Sequence, residues 1–387
     1  MNKQIKAIHI VNWFPNIDNP FETLFVREHV QSLAPYVAKN EVLHLEVVES
    51  EKDFVRLKHY PLEGVEGFAY RLYLTKKLAR PAIKEFLTLL LLLWALRKYK
   101  VNKLFDILVF HVAYPLGTYT SLIKKVIKVP FVFLEHWTAY HFNFNMPKDT
   151  KKLDRIKRIF HHKVPLLTVS KALGEDIKSF SGAVDFPHYV LPNVVDANVF
   201  TCHAEHKENM PQYFMVNFWR TIKSPFPAFE GFRKLLKEYP NAVLRVGGYG
   251  PLWKEMEQYV QKYSLEHNII LLGKLQKSQI AKEMQGITAF VHSTSYETFS
   301  VVTAEALLCG TPVVVSKIPA VAEFVHQDNG LLIEGSTTED WYLGLKNLFV
   351  NRHKYDRVRI SQEVTEKFSK EAVGKVFAAI LSDVKAR

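Results

Sequence analysis

Phe290–Val325 reads FVHSTSYETFSVVTAEALLCGTPVVVSKIPAVAEFV, and this stretch decides the fold. Ile287 to His292 is a strand-like run, Val301 to Leu308 a short helical pattern, and Val313-Val314-Val315 a second apolar run. Gly310 stands where a left-handed residue stops a helix, and Thr311-Pro312 lead out of it. Strand, acidic loop, helix and strand make a βαβ unit. In open α/β sheets ligands bind at the carboxyl ends of the strands, where helix N-termini point. Two carboxylates, Glu297 and Glu305, fall in this unit. Glu297 belongs in the crevice, and Glu305 about two turns down the helix on the same side. Taken alone, such a pair is an ordinary cap carboxylate and a solvated helix residue. Val301, Val302, Ala304, Ala306, Leu307 and Leu308 around Glu305 argue otherwise, because an unpaired charge in so apolar a helix is costly to bury. Free N–H groups at Phe299-Ser300-Val301 suit a phosphate, and a carboxylate beside them suits sugar hydroxyls. The spacing points to a nucleotide-sugar pocket.

Outward from this stretch, 387 residues suffice for two α/β domains, each with its own core. Cys202 and Cys309 are the only cysteines, which excludes a disulfide framework and fits a reducing, cytoplasmic setting. The opening MNKQIKAIHIVNWF has an apolar run too short for a signal-peptide core and is expected to be the first strand. The net charge of +12 is uneven: Arg71–Lys103 holds nine Lys/Arg against the single acid Glu85. Embedded there is Phe86–Leu96, far shorter than the roughly 20 residues that span a bilayer. It is expected to be a buried Leu-rich helix, or one docking on an anionic membrane surface with Trp94 and the flanking cations at the interface. A second basic stretch runs from Lys148 to Lys171. No helix-turn-helix, zinc-finger or aromatic RNP-type signature accompanies the charge, so nucleic acid is not expected as a partner.

Short apolar runs at 6–11, 42–48, 106–112, 129–135 and 166–170 alternate with helical patterns at 22–37, 82–99, 116–127 and 150–163. After Leu191-Pro192-Asn193 the pattern loosens into the polar run Cys202–Met210 and then restarts. Strands are expected at 213–217, 242–247, 269–272, 287–292, 313–316 and 331–333. Helices are expected at 227–239, 251–263, 278–285, 301–308, 338–350 and 362–385. Two α/β halves that restart the same alternation imply two Rossmann-like domains, with parallel sheets facing across a cleft. Residues 1–195 are the first, residues 196–365 the second, and residues 366–387 a terminal helix.

Other groups can carry chemistry. Arg220 and Lys223 follow the first strand of the second half and can neutralise a diphosphate, whose departure from a sugar needs such charge. Gly247-Gly248-Tyr249-Gly250-Pro251 lets a backbone come close to a phosphate or nucleoside, though it is equally an ordinary tight turn. His136 ends a strand of the first half and can bond a substrate hydroxyl; His111 is the weaker competitor. His161-His162 has no acidic partner and is expected at the surface. Neither Asp-x-Asp nor a clustered metal-ligand set occurs, so the diphosphate is expected to be held without a metal.

His292-Ser293-Thr294-Ser295-Tyr296-Glu297-Thr298-Phe299-Ser300, then Ala304-Glu305-Ala306 and Gly310-Thr311-Pro312-Val313-Val314, closely resembles the signature of the family 4 retaining glycosyltransferases of the GT-B fold. Leu167–Ser170, Leu191–Asp196 with Phe200, Gly247–Pro251 and Ala322–Leu331 resemble further segments of that family in the same order. The resemblance implies transfer of a sugar from a nucleotide diphosphate sugar to an acceptor hydroxyl, with retained configuration and no obligatory metal. It implies that Glu297 holds the donor sugar and that the Phe299-Ser300 backbone meets sugar or diphosphate. Glu305 would bind the ribose, and Arg220 with Lys223 the diphosphate. His136 would lie near the anomeric region, and backbone near Lys274-Leu275 would hold the base, with Gly248 and Gly250 close by. The first domain would bind the acceptor, a carbohydrate or lipid-linked intermediate of surface polysaccharide or glycolipid synthesis at the inner face of the membrane. The final helix would return to the first domain. This chain departs from the pattern in three ways. Thr298 and Ser300 stand where glycines are common, Arg220 and Lys223 are only three apart, and Trp13–Thr23 lacks a glycine pair. The competing readings are a silent nucleotide- or glycan-binding module and a nucleotide-sugar epimerase.

Overall fold

The computed structural model describes residues 5–15, 23–50, 55–143, 149–203 and 210–387. Most of the Trp13–Thr23 loop and of the Cys202–Met210 run lies outside the described residues. Two compact units form: residues 1–194 with 370–387, and residues 195–369.

The first unit carries strands β1 (Lys6–Val11), β2 (Lys39–Glu49), β3 (Arg56–Pro61), β4 (Gly67–Leu74), β5 (Ile107–His111), β6 (Phe131–Glu135), β7 (Leu166–Thr168) and β8 (His188–Val190). They pair in the order β3-β4-β2-β1-β5-β6-β7-β8, parallel except for the antiparallel β3–β4 pair. Helices α1 (Leu24–Leu33), α2 (Pro81–Lys98), α3 (Val101–Leu104), α4 (Thr120–Val126), α5 (Thr150–His161) and α6 (Lys171–Ser181) connect them. Chain order reverses between β1 and β5, so their carboxyl ends flank the crevice where such sheets hold ligands.

The second unit is a six-stranded parallel sheet. Its strands are β9 (Gln212–Phe218), β10 (Val243–Tyr249), β11 (Ile269–Gly273), β12 (Ala289–His292), β13 (Val313–Ser316) and β14 (Gly330–Ile333), in the order β11-β10-β9-β12-β13-β14. Its helices are α7 (Phe226–Leu235), α8 (Trp253–Lys262), α9 (Lys277–Met284), α10 (Val301–Leu308), α11 (Thr338–Val350) and α12 (Arg357–Phe368). The reversal here lies between β9 and β12. Gly310, with φ of +74°, closes α10 as expected: its N–H reaches Leu307 O and that of Thr311 reaches Ala306 O.

Several elements differ from the sequence expectation. The hairpin β3–β4, strand β8 and helices α3 and α6 lie outside the expected elements. The run expected as one helix over 362–385 is two, α12 and α13 (Lys370–Ala386), broken where Ser369 turns extended. Past that break the chain rejoins the first unit. Val373, Phe377 and Leu381 of α13 enter a core with Ala7, Val109, Leu134 and Val194. Phe377 is fully buried, its ring edge-on to His9 and His29. Truncating it by Phe377→Ala is expected to cost about 3–5 kcal/mol, read as a lower denaturant midpoint at unchanged slope.

Candidate functional site

In the second unit, the loops leaving β9 and β12 meet at the reversal point. After β9 the chain makes a tight turn, in which Lys223 N–H bonds Arg220 O at 2.7 Å. Ile222 O, at the middle of this turn, accepts from Ser295 N–H at 2.8 Å and from the hydroxyls of Thr294 and Ser295 at 3.2 Å. The turn is thereby fixed to the loop that carries Glu297.

Glu297 is 7% exposed. Its Oε1 lies 2.7 Å from Lys223 Nζ and 2.9 Å from His292 Nε2. Asn217 sets the tautomer of that histidine. Its Oδ1 accepts from Phe218 N–H, so its amide NH₂ faces His292 Nδ1, at 3.2 Å. His292 Nδ1 therefore accepts, and Nε2–H donates to Glu297. Burial alone pushes the Glu297 carboxyl up. The Lys223 charge and the His292 hydrogen bond outweigh it and bring the pKa down to about 2. The result is a carboxylate ionised over the whole working pH range, with Lys223 as a direct partner. Sequence reading placed these two residues on different parts of a ligand and gave His292 no role.

The remaining residues of this unit fall in distinct places. Ser300 is the N-cap of α10 with φ of +77°, and its hydroxyl lies 2.8 Å from that of Thr303. No side chain caps the first turn of this helix. The Phe299 ring is core, stacked with Phe324 and edge-on to Phe368, so only its backbone can meet a ligand. Glu305 is buried in α10. Its charge adds to burial in raising the Cys309 thiol to about 12. Arg220 is exposed. Strand β10 runs two residues past the expected end at 247, so Gly248 is a strand residue and pairs with Asn217. A Cβ on Gly248 would stand 2.0 Å from Asn217 O, and one on Gly250 2.3 Å from Trp219 O. Those glycines make room for the β9 backbone. Leu275 packs over Gly247. A cavity of 380 Å³ adjoins the fixed turn, lined by Ile222, Ser224, Thr294, Ser316 and Trp341 among others.

In the first unit, His136 follows β6 but lies buried rather than open to solvent. Its ring is 4.7 Å from Phe25, 5.2 Å from His29 and 6.0 Å from His111, parallel to the last. His111 Nε2 is 3.0 Å from His9 Nδ1, and His9 Nε2 is 2.9 Å from Asn40 Oδ1. Burial holds His9 and His29 down at about 4, and His111 and His136 well below the usual histidine range. These imidazoles are neutral at pH 7. Glu135, on the neighbouring position, is fully buried; Tyr140 OH and Ala113 N–H donate to its Oε1 at 2.5 Å. Burial lifts it to about 7 in spite of those bonds. His161 is exposed, as expected, and its Nε2 lies 3.1 Å from Ser181 O. Among the described residues no three His, Cys, Asp or Glu gather to hold a metal ion.

Residues 203–365, inside the second unit, match the family described as Glycosyl transferases group 1. An uncharacterized glycosyltransferase of Methanocaldococcus jannaschii is 23% identical over 284 residues, 65% of this chain and 69% of that one. Among solved structures, sucrose-phosphate synthase of Thermosynechococcus elongatus superposes with a TM-score of 0.72 at 15% identity, over 98% of this chain and 99% of that one. Anabaena HepE in complex with UDP superposes with 0.73 at 13% identity, over 98% and 100%. The backbone has the GT-B fold.

Glu135 generates a pH prediction. A carboxyl raised in the folded state stabilises below its unfolded value near 4.3, and that contribution is lost as pH rises through about 7. Glu135→Gln keeps an acceptor for Tyr140 and Ala113 and removes the titration. Its stability relative to wild type is expected to rise between pH 5 and pH 8, measured by denaturant unfolding at both.

Proposed function

We propose, for a chain that belongs to the glycosyl transferases group 1 through residues 203–365 and has the GT-B fold, that it moves a sugar from a nucleotide diphosphate sugar to an acceptor hydroxyl with retained anomeric configuration. The Asn217–His292–Glu297–Lys223 network at the reversal point of the second unit carries this reading. The UDP bound to HepE supports a nucleotide donor.

Glu297, held ionised, accepts from donor-sugar hydroxyls through Oε2, the oxygen that neither Lys223 nor His292 contacts. Glu305 takes the ribose. As the sugar–oxygen bond breaks, negative charge grows on the diphosphate. Lys223, Arg220 and the uncapped first turn of α10 neutralise it, with no metal assigned to that task. His136 belongs to the first unit, which binds the acceptor in this reading.

A panel of UDP-, GDP-, ADP- and dTDP-sugars tests it by thermal shift and product analysis. At least one donor is expected to raise Tm and to yield transferred sugar. Glu297→Gln is expected to lower turnover about 100-fold while affinity for the free nucleoside diphosphate stays within about threefold. Absence of any shift or product across the panel would remove the enzyme reading, and free epimerised sugar would replace it with another.

The acceptor is proposed to be a polysaccharide or glycolipid intermediate reached at an anionic membrane. No helix among the described residues is long and apolar enough to cross a bilayer. Helix α2 instead exposes Phe86, Leu90 and Trp94, at 52%, 43% and 41%, one turn apart on one face. Arg80, Lys84, Arg97 and Lys98 flank that stripe. Vesicles containing phosphatidylglycerol should sediment the protein at low salt, and Trp94→Glu with Leu90→Glu should abolish this. Equal recovery with uncharged phosphatidylcholine vesicles would refute membrane docking by charge.

A further inference from the structure

Three neighbouring strands of the first unit end alike. β1 runs into Asn12-Trp13, β5 ends at His111 with Tyr114 three residues on, and β6 runs into His136-Trp137. These strands lie side by side, and the β1–β5 boundary is the reversal point of their sheet. Each end supplies a buried polar group and then an aromatic ring.

The rings form one wall. Trp13 meets Trp137 edge-to-face at 5.2 Å, and Tyr114 stacks on Trp137 at 6.1 Å and 22°. All three are partly exposed. The Tyr114 hydroxyl donates to Glu85, which anchors that ring to α2. Mutually packed, half-exposed aromatic faces suit the C–H face of a pyranose ring.

The polar groups beside them lack hydrogen-bond partners among the described residues. They are Asn12 Oδ1, His111 Nδ1, both ring nitrogens of His136 and Asn193 Oδ1. Asn193 lies close enough to His136 to favour its protonated form against the larger effect of burial, without reaching hydrogen-bond geometry. His111 and Asn193 are only 1% and 5% exposed. Buried polar groups are nearly always paired, so several orphans at one sheet end point to a ligand's groups as partners.

Hydrogen-bond wiring says which kind of partner is needed. Asn40 Nδ2 donates to Val30 O, so its Oδ1 must accept, and His9 Nε2–H donates to it. His9, neutral, is left with a bare Nδ1 that accepts from His111 Nε2–H. His111, also neutral, then presents Nδ1 as an acceptor. Asn12 Oδ1 and Asn193 Oδ1 are acceptors as well, so these three atoms call for donors, while neutral His136 offers one N–H and one acceptor.

We propose that the carboxyl ends of β1, β5 and β6 form a saccharide subsite. In it a sugar ring lies on the Trp13–Trp137–Tyr114 wall and donates its hydroxyls to His111 Nδ1, Asn12 Oδ1 and Asn193 Oδ1. This rests on the glycosyltransferase reading and deepens it, since the acceptor is then a carbohydrate and not a bare lipid phosphate or a protein hydroxyl. Asn40 and His9 are positioning residues: they act by fixing which nitrogen of His111 carries the proton.

The full-length protein applied to a microarray of mono- to tetrasaccharides tests the subsite, with UDP binding by calorimetry as the second readout. Wild type is expected to retain particular saccharides. Trp137→Leu, Trp13→Leu and His111→Leu should each weaken retention by at least about tenfold, while Trp137→Phe keeps most of it. UDP affinity should be unchanged in all four. Trp13 is partly exposed, so its variant still reports if the buried His111 variant unfolds. The proposal is overturned if wild type retains no saccharide, or if the leucine variants that remain folded retain saccharides as well as wild type does. Saccharide retention without UDP binding would exclude a uridine donor and leave the subsite; the reverse would sink the subsite alone.

Discussion

A carboxylate nearly sealed from solvent has to be given charge or donors, or it neutralises itself. Glu297 is given both on a single oxygen, by Lys223 and His292, and the second unit is arranged around that requirement. Lys223 can serve only if the turn after β9 is pinned, and Ile222 O pins it with three contacts to the Thr294–Ser295 segment. His292 can serve only in one tautomer, and the amide of Asn217 selects it. Asn217 in turn sits so close to β10 that its carbonyl leaves no room for a Cβ on Gly248. One buried charge thus explains two loops, one tautomer and one glycine. It also leaves Lys223 paired before any diphosphate arrives, so this ammonium is oriented by Glu297 and does not roam in search of a partner.

The first unit treats the same position in the opposite way. Its sheet reverses between β1 and β5 as the other reverses between β9 and β12, yet the side chains gathered there are neutral. Burial strips the protons from His9, His29, His111 and His136, and it keeps Glu135 protonated up to about neutral pH. A diphosphate donor needs fixed positive charge, which the second unit offers. A polyhydroxylic acceptor needs directional acceptors and apolar faces, which neutral imidazoles and indoles offer without the cost of burying ions.

Much of this was legible from residues alone where the signal is local. An acidic loop between apolar runs, a charge inside an apolar helix and a glycine at its end located β12, α10 and β13. What escaped has physical reasons. Strand β3 is a charged, mostly exposed edge with Arg56 and Lys58, and period-two patterning fails on an edge that buries little. Helix α6 carries its start signal in Ser170, whose hydroxyl accepts from Leu173 N–H, and its stop in Gly182. Ser170 also closes Leu167–Ser170, a segment noted above for its family resemblance. The break at Ser369 has no proline or glycine to announce it; it follows from the last helix having its apolar face committed to the other unit's core. His292 looked like any strand-end histidine. His9, Asn40 and His111 are joined by contacts across 31 and 102 positions of sequence, which no local pattern encodes.

Ser300 shows how such departures from a pattern are to be weighed. A left-handed backbone costs a non-glycine residue about 1–2 kcal/mol, and glycine would adopt it freely. Serine is retained with its hydroxyl against Thr303, a contact worth about 1 kcal/mol that offsets the strain and no more. Nothing is gained in stability by the exchange. What changes is the rim of the pocket: a side chain now stands at the N-terminus of α10, beside the amide groups that would meet the diphosphate, and the loop loses the freedom that glycine confers. The stiffening runs in the same direction as the pinned turn and the fixed tautomer. Each of these features spends conformational freedom in order to hold Glu297 and the first turn of α10 still.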